Sequence, residues 1–588
     1  MSMVKLIGKF YWLVVVLLMT LSVAVIVACG GRPATTSDST SGASAAPTPT
    51  QVPASKELVD PRLKVSMAAP THQVTVPYQT FQSSSGALHN LYDFLVGRDR
   101  KTSAAENTHL ATDWSVTPDG RTWTFNLKKG IPYYQNGKAS DKYFFTTDDV
   151  RHTWLLESGT ISDKAYNTGT YGPLIKTVDD IEIVDEDTII WHLDVVYPDL
   201  AYYLSEEWTF GMINKKYWDE VGGEEGYSDA PIGTGAYSFV EYVTNEHFLL
   251  EKNSDHYRKT PEFDELQFLW IKEPATIMAM LLADEVHIGQ VPSDLHDQLE
   301  ARGMKVAKST LPSFHVWGVI PWYLPKSHKG EPTPNYDETV PTRDSRVRHA
   351  LNMAIDRNLI NDSFFKSDAM PSAVSHFAEW WDFFKDEWAP FPGPDGKTGS
   401  EGGWPYPYDP EGARDLLAEA GYSDGFDLRF YAPSNLGGVP EVPDIGEAMA
   451  SMWEEIGINV DLQVTEYSIV SQMQSSRELN GSVQLIRWSL NPPSPGMSWI
   501  WRKAGRPYYE YPFITEWKEN YDQIADPVER ERLSQDLGDY WHNEHLSIPL
   551  LWVFGKAVYN PDVLVEYEVS HVHFGPVRYH EYTEAVYK

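Results

Sequence analysis

At 588 residues, 42% hydrophobic and 13% aromatic, the chain is too long for one ordinary core and too apolar for disorder, so several packed lobes are expected. Its 83 acidic against 48 basic residues give a net charge of −35, which repels phosphate backbones, excludes nucleic acid as a partner and reads mainly as a solvated surface. The single cysteine, Cys29, excludes an internal disulfide, a cysteine-based zinc site and a thiol-pair redox motif.

Residues 1–29 read as an export signal. Lys5 and Lys9 supply the positive start, and an uncharged stretch runs from Phe10 to Ala28. The stretch closes on Ile26-Val27-Ala28-Cys29, which resembles a bacterial lipobox, in which the cysteine becomes the lipidated first residue. The apolar run is also long enough to serve as an uncleaved membrane anchor. Both readings place the remainder at the outer face of the cytoplasmic membrane. Residues 30–56 are rich in Ser, Thr, Ala, Pro and Gly, cannot bury a core, and form a tether. Its reach is on the order of 30 Å.

Strand and helix patterns alternate from residue 57 onward. Pro118-Asp119-Gly120 is a turn, and Trp123, Phe125 and Leu127 then alternate with Thr122, Thr124 and Asn126, the period of a half-buried strand. Thr147 is the expected cap of a helix facing inward through Val150, Trp154 and Leu155. Asp344 caps a helix with Val347, Ala350, Leu351, Ala354 and Ile355 on one face. Asp409-Pro410 opens another, cored by Leu416, Leu417 and Ala420 and stopped by Gly421. Residues 457–464 alternate as a strand. The alternation defines an α/β fold class.

Several segments, in order, resemble the family 5 extracellular solute-binding proteins, the oligopeptide, dipeptide and nickel receptors of bacterial ABC importers. They are Leu91-Tyr92-Asp93-Phe94-Leu95-Val96, the run His109-Leu110-Ala111-Thr112-Asp113-Trp114, and Pro118-Asp119-Gly120 through Gly130 with Thr146-Thr147-Asp148-Asp149-Val150. Pro231-Ile232-Gly233-Thr234-Gly235-Ala236-Tyr237, Asp344 through Arg357, and Tyr408 through Tyr422 continue the series. The resemblance implies a periplasmic-binding-protein-like architecture, with two large lobes, a third inserted lobe and a ligand cleft between the large ones. Lobe I is then 57–100 plus 230–311 plus 545–588, inserted lobe II is 101–229 and lobe III is 312–544. Connections between lobes I and III are expected near 310–318 and 543–550, as a hinge.

The resemblance also implies a receptor that captures a small solute, an oligopeptide before an oligosaccharide, and delivers it to ABC permease subunits. In peptide-binding members a segment like Trp-Cys-Ala-Asp carries the carboxylate that holds the ligand's amino group. The matching stretch here is Trp488-Ser489-Leu490-Asn491, where an amide replaces the acid, leaving Asp444 or Glu466 as alternative sources of charge. The ligand-binding candidates are Trp488, Ser489, Asn491, Trp499 and Trp552; Cys29 is the lipid anchor. The 21 tryptophans are mostly core, yet the adjacent Trp380-Trp381 pair cannot face one helical core together, so one of them lines a cleft or interface. No cofactor, metal site or catalytic residue is expected: His542 and His545 have the wrong spacing for two ligands on one helix face, and no His-Glu-x-x-His occurs. A secreted glycoside hydrolase with paired carboxylates is the rival class. The molecule is expected to act as a monomer.

Overall fold

The computed structural model describes residues 57–67, 69, 74–79, 86–99, 105–165, 181–197, 200–205, 210–327, 330–375, 377–434, 436, 438–489, 508–569 and 580–588. Its strands in chain order are Arg62–Met67 (β1), Gly97–Arg98 (β2), Ala105–Glu106 (β3), Ala111–Val116 (β4), Thr122–Leu127 (β5), Pro132–Gln135 (β6) and Lys138–Phe144 (β7). Ile181–Ile183 (β8), Thr188–His192 (β9), Tyr237–Val243 (β10), His247–Lys252 (β11), Glu265–Trp270 (β12) and Ile288–Gly289 (β13) follow. The last six are Lys305–Val319 (β14), Met370–Pro371 (β15), Asp427–Ser434 (β16), Asn459–Glu466 (β17), Val483–Ser489 (β18) and Ser547–Tyr559 (β19).

The main sheet runs β10-β11-β12-β1-β13-β19-β14-β18-β16-β17, with β15 beside β19. A smaller antiparallel sheet, β4-β5-β9-β8, carries the alternating segment read from the sequence. Trp123, Phe125 and Leu127 are buried there while their alternates are not. The turn before β5 needs Gly120 at φ +69°, and Gly120 N–H donates to Thr117 O at 2.8 Å. Gly233 and Gly235 serve a different need. A Cβ at Gly233 would stand 1.8 Å from Leu91 O, so the Gly-Thr-Gly segment exists to bring two backbones together.

The helix expected after Thr147 begins one residue earlier. Thr146 is the cap, because its N–H reaches Asp149 Oδ2 at 3.0 Å, and Leu156 replaces Leu155 on the buried face. Asp344 and Asp409 cap as read: each side chain accepts a backbone N–H from the first turn of its helix, Ser345–Met353 and Pro410–Glu419. The alternating strand at 457–464 starts only at Asn459, and none of its residues is buried. As β17 it is the last strand of the sheet path, so its alternation runs between half-exposed and exposed.

Two large cores share the sheet. One draws on Leu63 through Trp270 together with Ala557 through Ala585, and includes Trp123, Phe125 and Trp154 of the 101–229 segment. The other draws on Phe314 through Val553. A third cluster, around Trp317, Trp388 and Trp541, covers the opposite face of the same strands. Among the described residues, β14 and β19 place fully buried side chains in both large cores. On β14 the passage falls between Ala307 and Phe314; on β19 it falls between Val553 and Ala557. The second passage therefore lies later than 543–550, because Ile548, Leu550 and Leu551 are already inside the second core. At the crossing the ladder is interrupted on both sides of Pro312, and Gly555 N–H donates instead to Ser309 Oγ and Ser313 Oγ, each at 3.0 Å.

Candidate functional site

The strand directions define where a ligand can lie. β1 runs parallel to β12 and β13, while β13 is antiparallel to β19 and so points toward the second core. β18 is antiparallel to β14 and parallel to β16, which parallels β17, so these three point back toward the first core. The carboxyl ends of two parallel strand sets thus face each other across the β14–β19 crossing, the place where open α/β sheets bind ligands. Contacts join the two sides. Gly438 N–H donates to Gln290 Oε1 at 3.2 Å, Lys272 Nζ stands 3.2 Å from Glu466 Oε1, and Ser293 reaches Glu441. Beside them lies a small recess lined by Gln290, His296, Phe365, Glu441, Phe554 and Lys556, among others.

On the other face of the crossing strands, pairing aligns a row of large side chains. Trp488 pairs with His315, His315 with Trp552, and Trp552 with Met370. His315 stacks on Trp552 with ring centres 4.5 Å apart, and on Trp317 at 4.6 Å. Trp380 meets Trp552 edge to face at 5.4 Å and remains 36% exposed. Trp488 is half-buried and packs against the first large core and the third cluster together, so it sits where the two halves meet. Two sequence candidates, Trp488 and Trp552, are thereby brought onto one face with His315 between them. Ser489 ends β18 opposite Phe314. Asn491, Trp499 and Cys29 lie outside the described residues. The Trp380-Trp381 segment is a turn and not a helix, which is how Trp380 covers Trp552 while Trp381 packs inward.

The electrostatics behind the row are those of a dry wall. Ser372 Oγ and His315 Nε2 are 2.7 Å apart. Glu379 is fully buried, takes Ala373 N–H at 2.8 Å and stands beside the Trp552 indole. Burial lifts its carboxyl from 4.5 to about 8, outweighing the hydrogen bonds, so it holds its proton at neutral pH. The folded chain then keeps a proton that the unfolded chain releases above pH 4.5. The resulting stabilisation is complete below that pH and is lost as pH rises through 8. Glu379→Gln is expected to flatten this dependence, raising stability relative to wild type by up to about 1.4 kcal/mol per pH unit within the window. Denaturation midpoints of both proteins between pH 4 and 9 check it, and parallel curves would refute it.

Neither Asp444 nor Glu466 is a buried countercharge: Asp444 is exposed, and Glu466 is exposed and paired with Lys272. The buried acids near the crossing are Glu379 and Glu441, which the sequence reading missed; Glu441 stands only three residues before Asp444, but nothing local distinguishes it. Asp368 bridges Lys308 and Lys556 of the two crossing strands at 2.5 and 2.7 Å, and although burial opposes ionisation, these lysines hold its carboxyl below the usual range. His349 and His545 stack at 4.1 Å, with Tyr406 Oη 3.0 Å from His545 Nδ1, away from the crossing strands.

The family model for bacterial extracellular solute-binding proteins, family 5 (middle), matches residues 107–508. Di/tripeptide-binding protein 1 of Pseudomonas aeruginosa is 25% identical over 484 residues, covering 77% of this chain and 81% of that protein. The dipeptide-binding protein of Pseudoalteromonas sp. SM9913, solved with Met-Leu, superposes with a TM-score of 0.70 at 19% identity, covering 90% of this chain and all of that one (100%). Oligopeptide-binding protein AppA of Bacillus subtilis, solved with a nonapeptide, gives 0.69 at 19% identity over 90% of this chain and 100% of its own. With facing strand ends and a mixed α/β periplasmic-binding-protein fold, the molecule is a binding protein by class, and the chain belongs to the family 5 extracellular solute-binding proteins. It is an extracytoplasmic substrate-binding component of an ABC importer, and not an enzyme.

Proposed function

We propose that this chain captures a small peptide between the facing strand ends and presents it to the permease subunits of its importer. The observation that carries this reading is the half-buried Trp488 at the meeting of the two halves, backed on its own face of the sheet by the buried His315 and Trp552. An indole so placed accepts side chains and peptide planes by stacking and apolar contact. Relatives and structural neighbours named for di-, tri- and oligopeptides support it. Asn491, in place of the acid of peptide-binding members, makes the site select by shape and stacking more than by an ion pair with a free amine. Trp488 and Trp380 also favour a second reading, an oligosaccharide stacked by its apolar faces. Mass spectrometry of solute retained by gently purified full-length protein decides between them, followed by calorimetry with di- and tripeptides and neutral oligosaccharides. Retained sugar, or calorimetric binding of oligosaccharide alone, would overturn the peptide reading.

A lobe division of 57–100 plus 230–311, 101–229 and 312–544 is part of this reading, supported by the two large cores and by the passage on β14; the last segment of lobe I is drawn from after Val553 instead of from 545, following the passage on β19. Lipidation of Cys29, a tether at 30–56 and a monomeric body complete it, with the molecule anchored at the outer face of the cytoplasmic membrane. Among the described residues no helix is long and apolar enough to cross a membrane. Cys29→Ser is expected to leave thermal stability unchanged and to abolish diacylglycerol attachment. Intact-mass analysis showing lipid still attached to the variant would refute the anchor.

A further inference from the structure

Glu441 immediately precedes the helix Val442–Glu455 of the second core, and only 6% of it is exposed. Its Oε1 accepts Ser293 N–H at 3.0 Å and the Ser293 hydroxyl at 3.1 Å. Ser293 lies just past β13, on the opposite side of the crossing, and is 5% exposed. Two ion pairs across the same gap are of a different kind. Lys272–Glu466 has both partners 53% exposed, and Lys366–Asp297 has partners 44% and 76% exposed. Such exposed pairs contribute little in water. A buried carboxylate that takes two hydrogen bonds from one residue is stronger and geometrically selective. Burial pushes the Glu441 carboxyl above its usual value, and the two Ser293 bonds, with the charge of Lys556 in the adjoining recess, work against that rise. Separation of the two sides would break both bonds together and return Glu441 to water, so this contact exists only while they are joined.

We propose that Glu441 is a positioning residue that holds lobes I and III together through Ser293, and so scales the affinity for every ligand by one common factor. The proposal rests on the lobe division given above. Its logic is a population shift: apparent affinity falls in proportion to the fraction of molecules in the binding-competent arrangement. A residue touching the ligand would instead discriminate between ligands.

The test uses the full chain, without ligand first. Hydrogen–deuterium exchange of peptides spanning 290–296 is expected to quicken tenfold or more in Glu441→Ala. Glu441→Gln, which keeps an acceptor oxygen, should stay within about threefold of wild type, with Ser293→Ala between the two. Exchange within the helix Val442–Glu455 should not change. Equal exchange at 290–296 in wild type and Glu441→Ala overturns the proposal. So does faster exchange throughout both cores in Glu441→Ala and Ser293→Ala alike, which marks a merely structural role. Calorimetry with two unlike probes, Met-Leu and tetra-alanine, should show both weakened by the same factor in Glu441→Ala. A loss confined to one probe overturns it, because Glu441 would then be a ligand contact. If neither probe binds wild type, the peptide reading falls, and the ligand-free exchange still decides the role of Glu441.

Discussion

Asp93→Asn is expected to cost the folded body about 3–5 kcal/mol, the range for removing one partner from a buried ion pair. Asp93 is 0% exposed. Its Oδ1 stands 2.7 Å from Arg258 Nη2, and its Oδ2 accepts the Tyr257 hydroxyl at 2.8 Å. Arg258 also reaches Glu581 at 3.2 Å and hydrogen-bonds His109, which burial and Arg258 keep from protonating. Burial opposes the Asp93 charge, yet Arg258 and His256 hold its carboxyl well below the ordinary 3.8. The stabilisation is therefore present above pH 3.8 and disappears as pH falls through the lower folded value. Asparagine keeps the shape and removes the charge, leaving Arg258 with Glu581 alone. Because His109 comes from the 101–229 segment, the loss should also loosen that segment from the rest of the first core. Urea denaturation of both proteins at pH 7 measures the difference, and a change under 1 kcal/mol would show that this network is not limiting.

Trp488→Ala is expected to weaken binding of the solute by about 1–3 kcal/mol, a loss of about 5- to 150-fold, as for removal of a large ring buried against a ligand. Trp488→Phe should recover much of it by restoring an aromatic face. Trp552→Ala acts differently, because Trp552 is 2% exposed and props His315 from behind. It should cost about 3–5 kcal/mol of stability through the cavity left behind, with a fall in affinity as His315 loses the ring that supports it. Calorimetry with the retained solute and denaturation of each variant separate the two effects. Unchanged affinity in both alanine variants would move the binding site away from this wall.

Where the physics is local, the sequence alone was sufficient. The caps at Asp344 and Asp409 are contacts between a side chain and an amide two or three residues away, and the face of β5 follows from alternation within six residues. Ordered motifs likewise carried the family, and with it the binding role. Local pattern also misled at its margins. Thr146 and Thr147 are equally good caps by composition, and only Asp149, reaching back to the Thr146 amide, chooses between them.

Tertiary structure decided whatever depends on which strand lies beside which. Alternation says that His315 and Trp317 share a face, but not that Trp488 and Trp552 flank His315; that is set by register among three strands brought together from distant parts of the chain. Alternation alone likewise cannot tell that β17 is the last strand of the sheet path, where its inward residues stay half-exposed. The second passage between the cores is displaced past Val553 because burial on both sides of β19, and not its extended sequence, fixes where one core ends. Glu441 resembles many of the other acidic residues until the chain brings Ser293, 148 positions away, within hydrogen-bonding distance of its carboxylate. A carboxylate's surroundings, unlike its helix cap or its strand face, are a property of the folded chain.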